Sequence, residues 1–310
     1  MYLAVVLTEK EVPRKQIVAT FDDNVICAPT KSVELLAPCS HEETDTRMLL
    51  HSKDAAKQGM RNILLRTVDT DVLVIAVSVF HQLNVETLWI AFGVGKHFRY
   101  ISIHDLVNTM GLRRSIALPM FHALTGCDTV SSMCGRGKRT AYDTWSVFPN
   151  LTDAIISIMN APDRITDENF DIIERFIILL YDRTSTQTSV NACRKELFSK
   201  KNRSMENIPP TKDALKQHVK RAFHQAVHCW KETLVLQPSM FPHSDWGWAL
   251  QESKWTQVWM TIPEAAKSCY ELLRCNCIKS CTAGRCKCRK SFLKCTSLCK
   301  CGGECDEVIG

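Results

Sequence analysis

The chain has 310 residues, 45% of them hydrophobic, and a formal net charge of +6; this is material for about two cored domains and excludes a disordered polymer. Its longest apolar run, Leu73 to Phe80, is too short to span a bilayer, and Met1 to Leu7 lacks the basic start and cleavage site of a signal peptide, so a soluble intracellular protein is expected. The 16 cysteines are then reduced thiols or metal ligands, and the positive charge favours acidic partners.

In chain order, Thr20 to Pro29 (TFDDNVICAP) reads as a strand with an adjacent acidic pair. SHEETDTRMLLHSKDAAKQG reads as a helix: Ser40 and Glu43 make a capping box, Met48, Leu49 and Ala56 form an apolar side, and Gly59 stops it. Glu42, Glu43 and Asp45 occupy its first turn. Arg61 to Val68 is a continuous apolar strand of the buried parallel type, ending at Asp69-Thr-Asp71. Two carboxylates thus stand at the carboxyl end of a strand, where open α/β sheets bind ligands. Thr87 to Phe92 and Arg99 to Ile103 look like strands and HDLVNTMG like a short helix, and FHALTGCDTVSSMCGRGKRTAYDTW follows with Asp128 in a Gly-Cys-Asp turn.

Residues 151–182 carry two apolar helical patterns, and the polar stretch 183–211 reads as a linker. A helix over Lys212 to Leu234 is marked by Leu215, Val219, Ala222, Phe223, Ala226, Trp230 and Leu234 on one face. His224 and His228 lie four apart on its other face; no Glu follows the first and no third ligand is near, so they read as exposed polar surface rather than a metal site. Trp246, Trp248, Trp255 and Trp259 either pack a following module onto these helices or stack bases.

The last 36 residues hold nine cysteines, spaced C-x-C-x3-C-x4-C-x-C-x6-C-x3-C-x-C-x3-C. A thiolate bridges two metals readily, so Cys275, Cys277, Cys281, Cys286, Cys288, Cys295, Cys299, Cys301 and Cys305 can serve about three zinc ions with three sulfurs shared. The close C-x-C pairs suit that sharing, whereas an odd count and neighbours too close to bridge disfavour disulfides. Arg274 to Lys300 contains eight basic residues and no carboxylate. With three Zn2+ on nine thiolates the module keeps a charge of about +5, enough for several phosphates.

This stretch resembles the tesmin-type CXC domain, which implies zinc and DNA binding by Arg285, Lys287, Arg289, Lys290 and Lys294. The family usually has a tyrosine where Arg285 stands, and its high-affinity readers carry two modules where this chain has one. The first half, in turn, resembles the internal region of flap endonucleases and the wider PIN-like nuclease superfamily. The correspondence runs through Glu43 and Asp45, with Glu42 the alternative to Glu43, then Asp69 and Asp71, then Asp128; Gly135, Gly137 and Ala141 follow at the family's hairpin spacing. It implies carboxylates that hold Mg2+ or Mn2+ for phosphodiester cleavage. A glycine hairpin with Arg136, Lys138 and Arg139 would grip a duplex phosphate.

The expected architecture is therefore α/β. An amino-terminally shortened PIN-like parallel sheet occupies 1–150, helices 151–182, a linker 183–211, a helical Trp-rich segment 212–268 and the CXC module 269–306. The combination resembles a group of mobile-element-associated animal proteins, which implies a nuclear DNA-binding protein with a metal-dependent nuclease domain. A non-catalytic chromatin or transcription-regulatory protein on a degenerate nuclease fold stands as the alternative.

Overall fold

The structure, a computed structural model, describes residues 15–28, 32–41, 43–161, 163–199, 207–239, 241–262, 275–277, 281, 286–290, 294–295 and 299–302. The chain divides into two compact units, Met1–Trp259 and Met260–Gly310. Among the described residues no helix is long and apolar enough to cross a membrane.

The first unit is built on a mixed sheet of three strands, in the order β3-β4-β5. Strand β3 (Asn62–Thr67) runs parallel to β4 (Thr87–Phe92), with Leu65 opposite Ile90, and β5 (Arg99–Ser102) returns antiparallel along the other edge of β4. The connection explains each sense. Between β3 and β4 lies a full crossover helix, α2 (Thr70–Leu83), whereas β4 reaches β5 through the short turn at 93–98, which only an antiparallel neighbour permits. Gly93 makes that turn possible: its φ is +82°, and a Cβ there would meet the carbonyl oxygen of His97 at 2.7 Å.

These findings correct two expectations. The sheet is mixed rather than parallel, and β3 is an edge strand covered on one face only. Leu65, Leu88 and Ile90 face the core, while Leu64 on the opposite face is 58% exposed. A continuous apolar run is consistent with burial on both faces but does not require it, because the second face is covered only if another layer packs there. The segment TFDDNVICAP is also more than one strand. It forms a hairpin, β1 (Ile17–Phe21) against β2 (Asn24–Ala28), with Asp22 and Asp23 at its turn and Asp22 at φ +45°.

Helix α1 (Thr44–Lys57) begins later than a capping box at Ser40 requires. Glu43 is its N-cap residue, without a side-chain capping bond, because that carboxylate is engaged elsewhere. Helices α3 (Ile103–Met110), α4 (Leu112–Leu124), α5 (Lys138–Val147), α6 (Asn150–Asn160) and α7 (Asp167–Tyr181) follow. Their apolar faces join that of α2 in one continuous core, which includes Val72, Ile75, Phe121, Trp145, Ile155 and Phe176.

The stretch 183–211 contains helix α8 (Val190–Ser199), whose Val190, Cys193 and Leu197 are buried. Its start is held by Glu174 of α7, which accepts a hydrogen bond from the Val190 amide at 2.7 Å and lies 2.7 Å from the Lys212 ammonium. Pairing makes a buried carboxylate tolerable there, and sequence polarity alone hides the tie. Helix α9 (Lys212–Phe223) then continues as a π-helical turn over His224–Trp230, marked by the Lys231 amide bonding to the Ala226 carbonyl five residues back. A 3-10 turn (His243–Trp246) and the hairpin β6 (Trp248–Gln251) and β7 (Lys254–Gln257) complete this unit.

In the second unit the buried residues of the described part are the cysteines themselves: Cys275, Cys281, Cys286, Cys288 and Cys299. A single helical turn, α10 (Lys287–Lys290), carries Cys288 inward and leaves Lys287 and Lys290 exposed.

Candidate metal centres

The acidic site forms where two helices begin. Asp69 leaves β3 in extended conformation and caps α2, accepting the Asp71 amide at 2.8 Å, which turns Asp71 back toward the start of α1. There Asp45 occupies the first helical turn. One carboxylate oxygen from each of Asp45, Asp69 and Asp71 falls within 4.8 Å of the others, a set able to hold a metal ion. Helix N-termini favour this gathering of negative charge.

The charge is nevertheless in excess. The Asp45 carboxyl is pushed up to about 6, first by burial and then by the charges of Asp69, Glu43, Asp71 and Asp128. All five acids singled out in the sequence thus act on one locality, although the oxygens of Glu43 and Asp128 do not join the close set. Glu42 lies outside the described residues.

Three residues missed by sequence reasoning organise the site. His122, from α4, places Nε2 2.9 Å from Oδ1 of the buried Asp71. Gln225 donates to Glu43 Oε1 at 2.9 Å, and the Trp230 indole donates to Glu43 Oε2 at 3.1 Å. Gln225 and Trp230 are five apart, and a π-turn is what stacks residues at that interval on one side. The Thr129 hydroxyl donates to the side-chain oxygen Oε1 of Gln225 at 2.9 Å, so the turn bearing Asp128 is joined through Gln225 to the start of α1. No local signal announces a π-turn, and His122 sits within an ordinary helical pattern.

A polar cleft of about 430 Å³ opens beside these groups, lined by Asp71, His122, Asp128, Thr129, Ser131 and Lys138. Its loop depends on Gly126, at φ +109°, where a Cβ would lie 2.7 Å from that of Ser132.

The Gly135–Arg139 segment departs from a phosphate-gripping hairpin. Gly135, at φ +66°, makes the turn, and Gly137 is the N-cap residue of α5. The Lys138 ammonium folds back onto the carbonyls of His122 and Gly126 and the Thr125 hydroxyl, and desolvation there lowers its pKa. Arg136 lies 4.8 Å over the Tyr181 ring and donates to the Gly135 and Tyr181 carbonyls. Two cations read as phosphate ligands thus bond to protein carbonyls, although Lys138, like Arg139, is exposed.

His224 and His228 also depart from expectation. The π-turn carries both inward, to 8% and 6% exposure, instead of onto a solvated face. Trp246 is buried against Phe223, with ring centroids 4.4 Å apart, while Trp255 and Trp259 remain exposed.

The second unit gathers sulfurs. Cys275, Cys295, Cys299 and Cys301 form one set with all Sγ atoms within 4.8 Å, and Cys275, Cys281, Cys286 and Cys295 form another. The Sγ separations of Cys275 from Cys281, Cys295 and Cys301 are 3.7, 3.8 and 3.7 Å, and Cys288 to Cys299 is 3.6 Å. A tetrahedron with Zn–S bonds of about 2.3 Å has edges of about 3.8 Å. A disulfide would be about 2.05 Å, and none of the described cysteines is disulfide-bonded. The cluster can therefore hold zinc. Cys275 and Cys295 belong to both sets, so the shared sulfurs lie far apart in sequence rather than within a single C-x-C pair. Cys277 packs against the same cluster, and Cys305 and Arg285 lie outside the described residues. Lys287, Lys290 and Lys294 are exposed and Arg289 is half-buried, so cation and thiolate alternate outward and inward along 286–290.

No protein-family model matches the sequence, and neither the curated proteins nor the solved structures provide a match.

Proposed function

We propose that this chain is a zinc-dependent DNA-binding protein whose first unit carries a carboxylate site for Mg2+- or Mn2+-assisted phosphodiester cleavage. The observation that carries this reading is the convergence of Asp45, Asp69 and Asp71 within 4.8 Å, in a locality so negative that Asp45 is pushed up to about 6. Hard oxygen donors with unneutralised charge suit a hard divalent cation. Such an ion, when bound, supplies water activation and stabilisation of the leaving oxygen. Asp45, Asp69 and Asp71 would hold it, His122 fixes one oxygen of Asp71, and Asp128 adds charge from the cleft wall.

On this reading the first unit is a PIN-like domain and the second a tesmin-type CXC module. The two thiolate sets, with the Cys288–Cys299 pair beside them, suit a cluster of about three zinc ions. Lys287, Arg289, Lys290 and Lys294 then meet DNA phosphates, with Arg139 of the first unit a further candidate. A nuclear, transposon-associated role follows from the same resemblance.

A second reading, DNA binding without turnover, is favoured by one specific observation: both oxygens of Glu43 are already taken by Gln225 and Trp230. The test is incubation of zinc-loaded protein with labelled flap, nicked and single-stranded DNA and Mg2+ or Mn2+, beside an Asp69→Ala, Asp71→Ala double variant. Cutting that disappears in the variant supports the nuclease reading. Retained binding without cutting assigns the non-catalytic one. A Lys287→Ala, Arg289→Ala, Lys290→Ala variant should lose affinity for all sequences alike and show a shallower salt dependence; unchanged binding would remove DNA from the second unit.

A further inference from the structure

Beside the residues of the π-turn that hold Glu43, the side chains of His224, His228 and Cys229 face a cavity of about 100 Å³ also lined by Phe241 and His243. The His224 ring centroid lies 4.7 Å from that of His243 and 5.5 Å from that of His228. Two imidazoles on one tetrahedral ion, with Zn–N bonds of about 2.0 Å, have ring centres about 5 Å apart. Cys229 Sγ is 4.0 Å from His224 Nδ1.

His228 Nε2 is buried and has no hydrogen-bond partner. Buried polar atoms are normally paired, so an orphaned imidazole nitrogen at a cavity of this composition calls for a ligand. The carboxylate of Glu43 also lines the cavity, and its charge favours a cation.

We propose that His224, His228, His243 and Cys229 bind a divalent transition-metal ion of the zinc type, at a site distinct from both the aspartate set and the thiolate cluster. Three nitrogens and one sulfur suit zinc and exclude Mg2+, which takes oxygen donors. Burial holds His224 and His228 in the neutral form that ligates metal, with both pushed down to about 4. Their donor atoms are not among the sets already gathered within 4.8 Å. Binding therefore requires rotation of the imidazoles about χ2, a torsion with broad freedom. The ion would clamp the π-turn next to Glu43, which Gln225 and Trp230 bind. A structural ion here would thereby hold Glu43 in place at the acidic site.

The experiment replaces zinc by 113Cd2+ in the full chain and records 113Cd spectra of the wild type and of a His224→Phe, His243→Phe variant, which keeps ring volume in the cavity. The wild type should show a nitrogen-rich resonance upfield of the thiolate signals. The variant should lose that resonance alone, and its bound metal should fall by one ion per chain. Absence of the upfield resonance in the wild type, or its persistence in the variant, overturns the proposal. Near-UV circular dichroism reports whether the variant folds; if it does not, the wild-type spectrum and the single His243→Phe variant decide.

Discussion

The two units gather metal-binding side chains by opposite means. In the second, the sulfurs are the buried core among the described residues and come from one local segment, Cys275 to Cys301. The first brings Asp45 to Asp69 and Asp71 only because a core running from Leu49 to Trp246 sets the start of α1 against that of α2. Soft thiolates at short spacing need metal to become a structure, whereas hard carboxylates need a structure before they can become a site.

Removing metal should therefore separate the units most sharply. Structural zinc supplies an apparent folding free energy of about 10–16 kcal/mol in small modules. Chelation of zinc should expose 275–302 to proteolysis, whereas 1–259 should stay folded and lose only the stabilisation of the ion held by its histidines. Equal resistance before and after chelation would mean that the thiolates are not a folding centre.

Within the first unit the largest single effect should come from Glu43→Ala. It strands the buried donors of Gln225 and Trp230 and should cost about 2–4 kcal/mol in urea unfolding, with Glu43→Gln costing less because one acceptor oxygen remains. A loss below about 0.5 kcal/mol, typical of an ordinary surface change, would show that the π-turn does not depend on this carboxylate.

His122→Ala should lower Mn2+ affinity by about 10–100-fold through loss of its hold on Asp71, with His122→Gln recovering part of it. A Mn2+ titration followed by electron paramagnetic resonance checks this, and unchanged affinity would detach His122 from the site.

The smallest effect concerns pH. A carboxylate whose pKa rises from 3.8 unfolded to about 6 folded contributes stability that is fully present below 3.8 and lost as pH rises through 6. Metal-free protein should lose stability over pH 4–7. Asp45→Asn should flatten that slope, and saturating Mn2+ should offset it. Parallel melting curves for wild type and variant would show that Asp45 carries no such charge burden.

How much of this was legible depended on whether the cause was local. The strands at 62–67, 87–92 and 99–102 and the helices at 150–160 and 167–181 were readable from apolar runs, periodicity and acidic starts. The D-x-D acids were placed at a strand end by the same logic. The hairpin at 17–28 was read as one strand because Asp22-Asp23 resembles a site as much as a turn. A sequence records the charges of Lys138 and Arg136 but not the carbonyls to which they bond.

By itself, the sequence determined the donor chemistry: nine soft sulfurs in one short segment and acids at the ends of a strand and helix, each set by residue type and spacing. Tertiary structure alone decided which donors meet. The change from α to π hydrogen bonding at His224–Trp230 shifts the interval that shares a face from about four residues to five. That shift turns two surface histidines inward and delivers Gln225 and Trp230 to a carboxylate some 180 residues earlier in the chain.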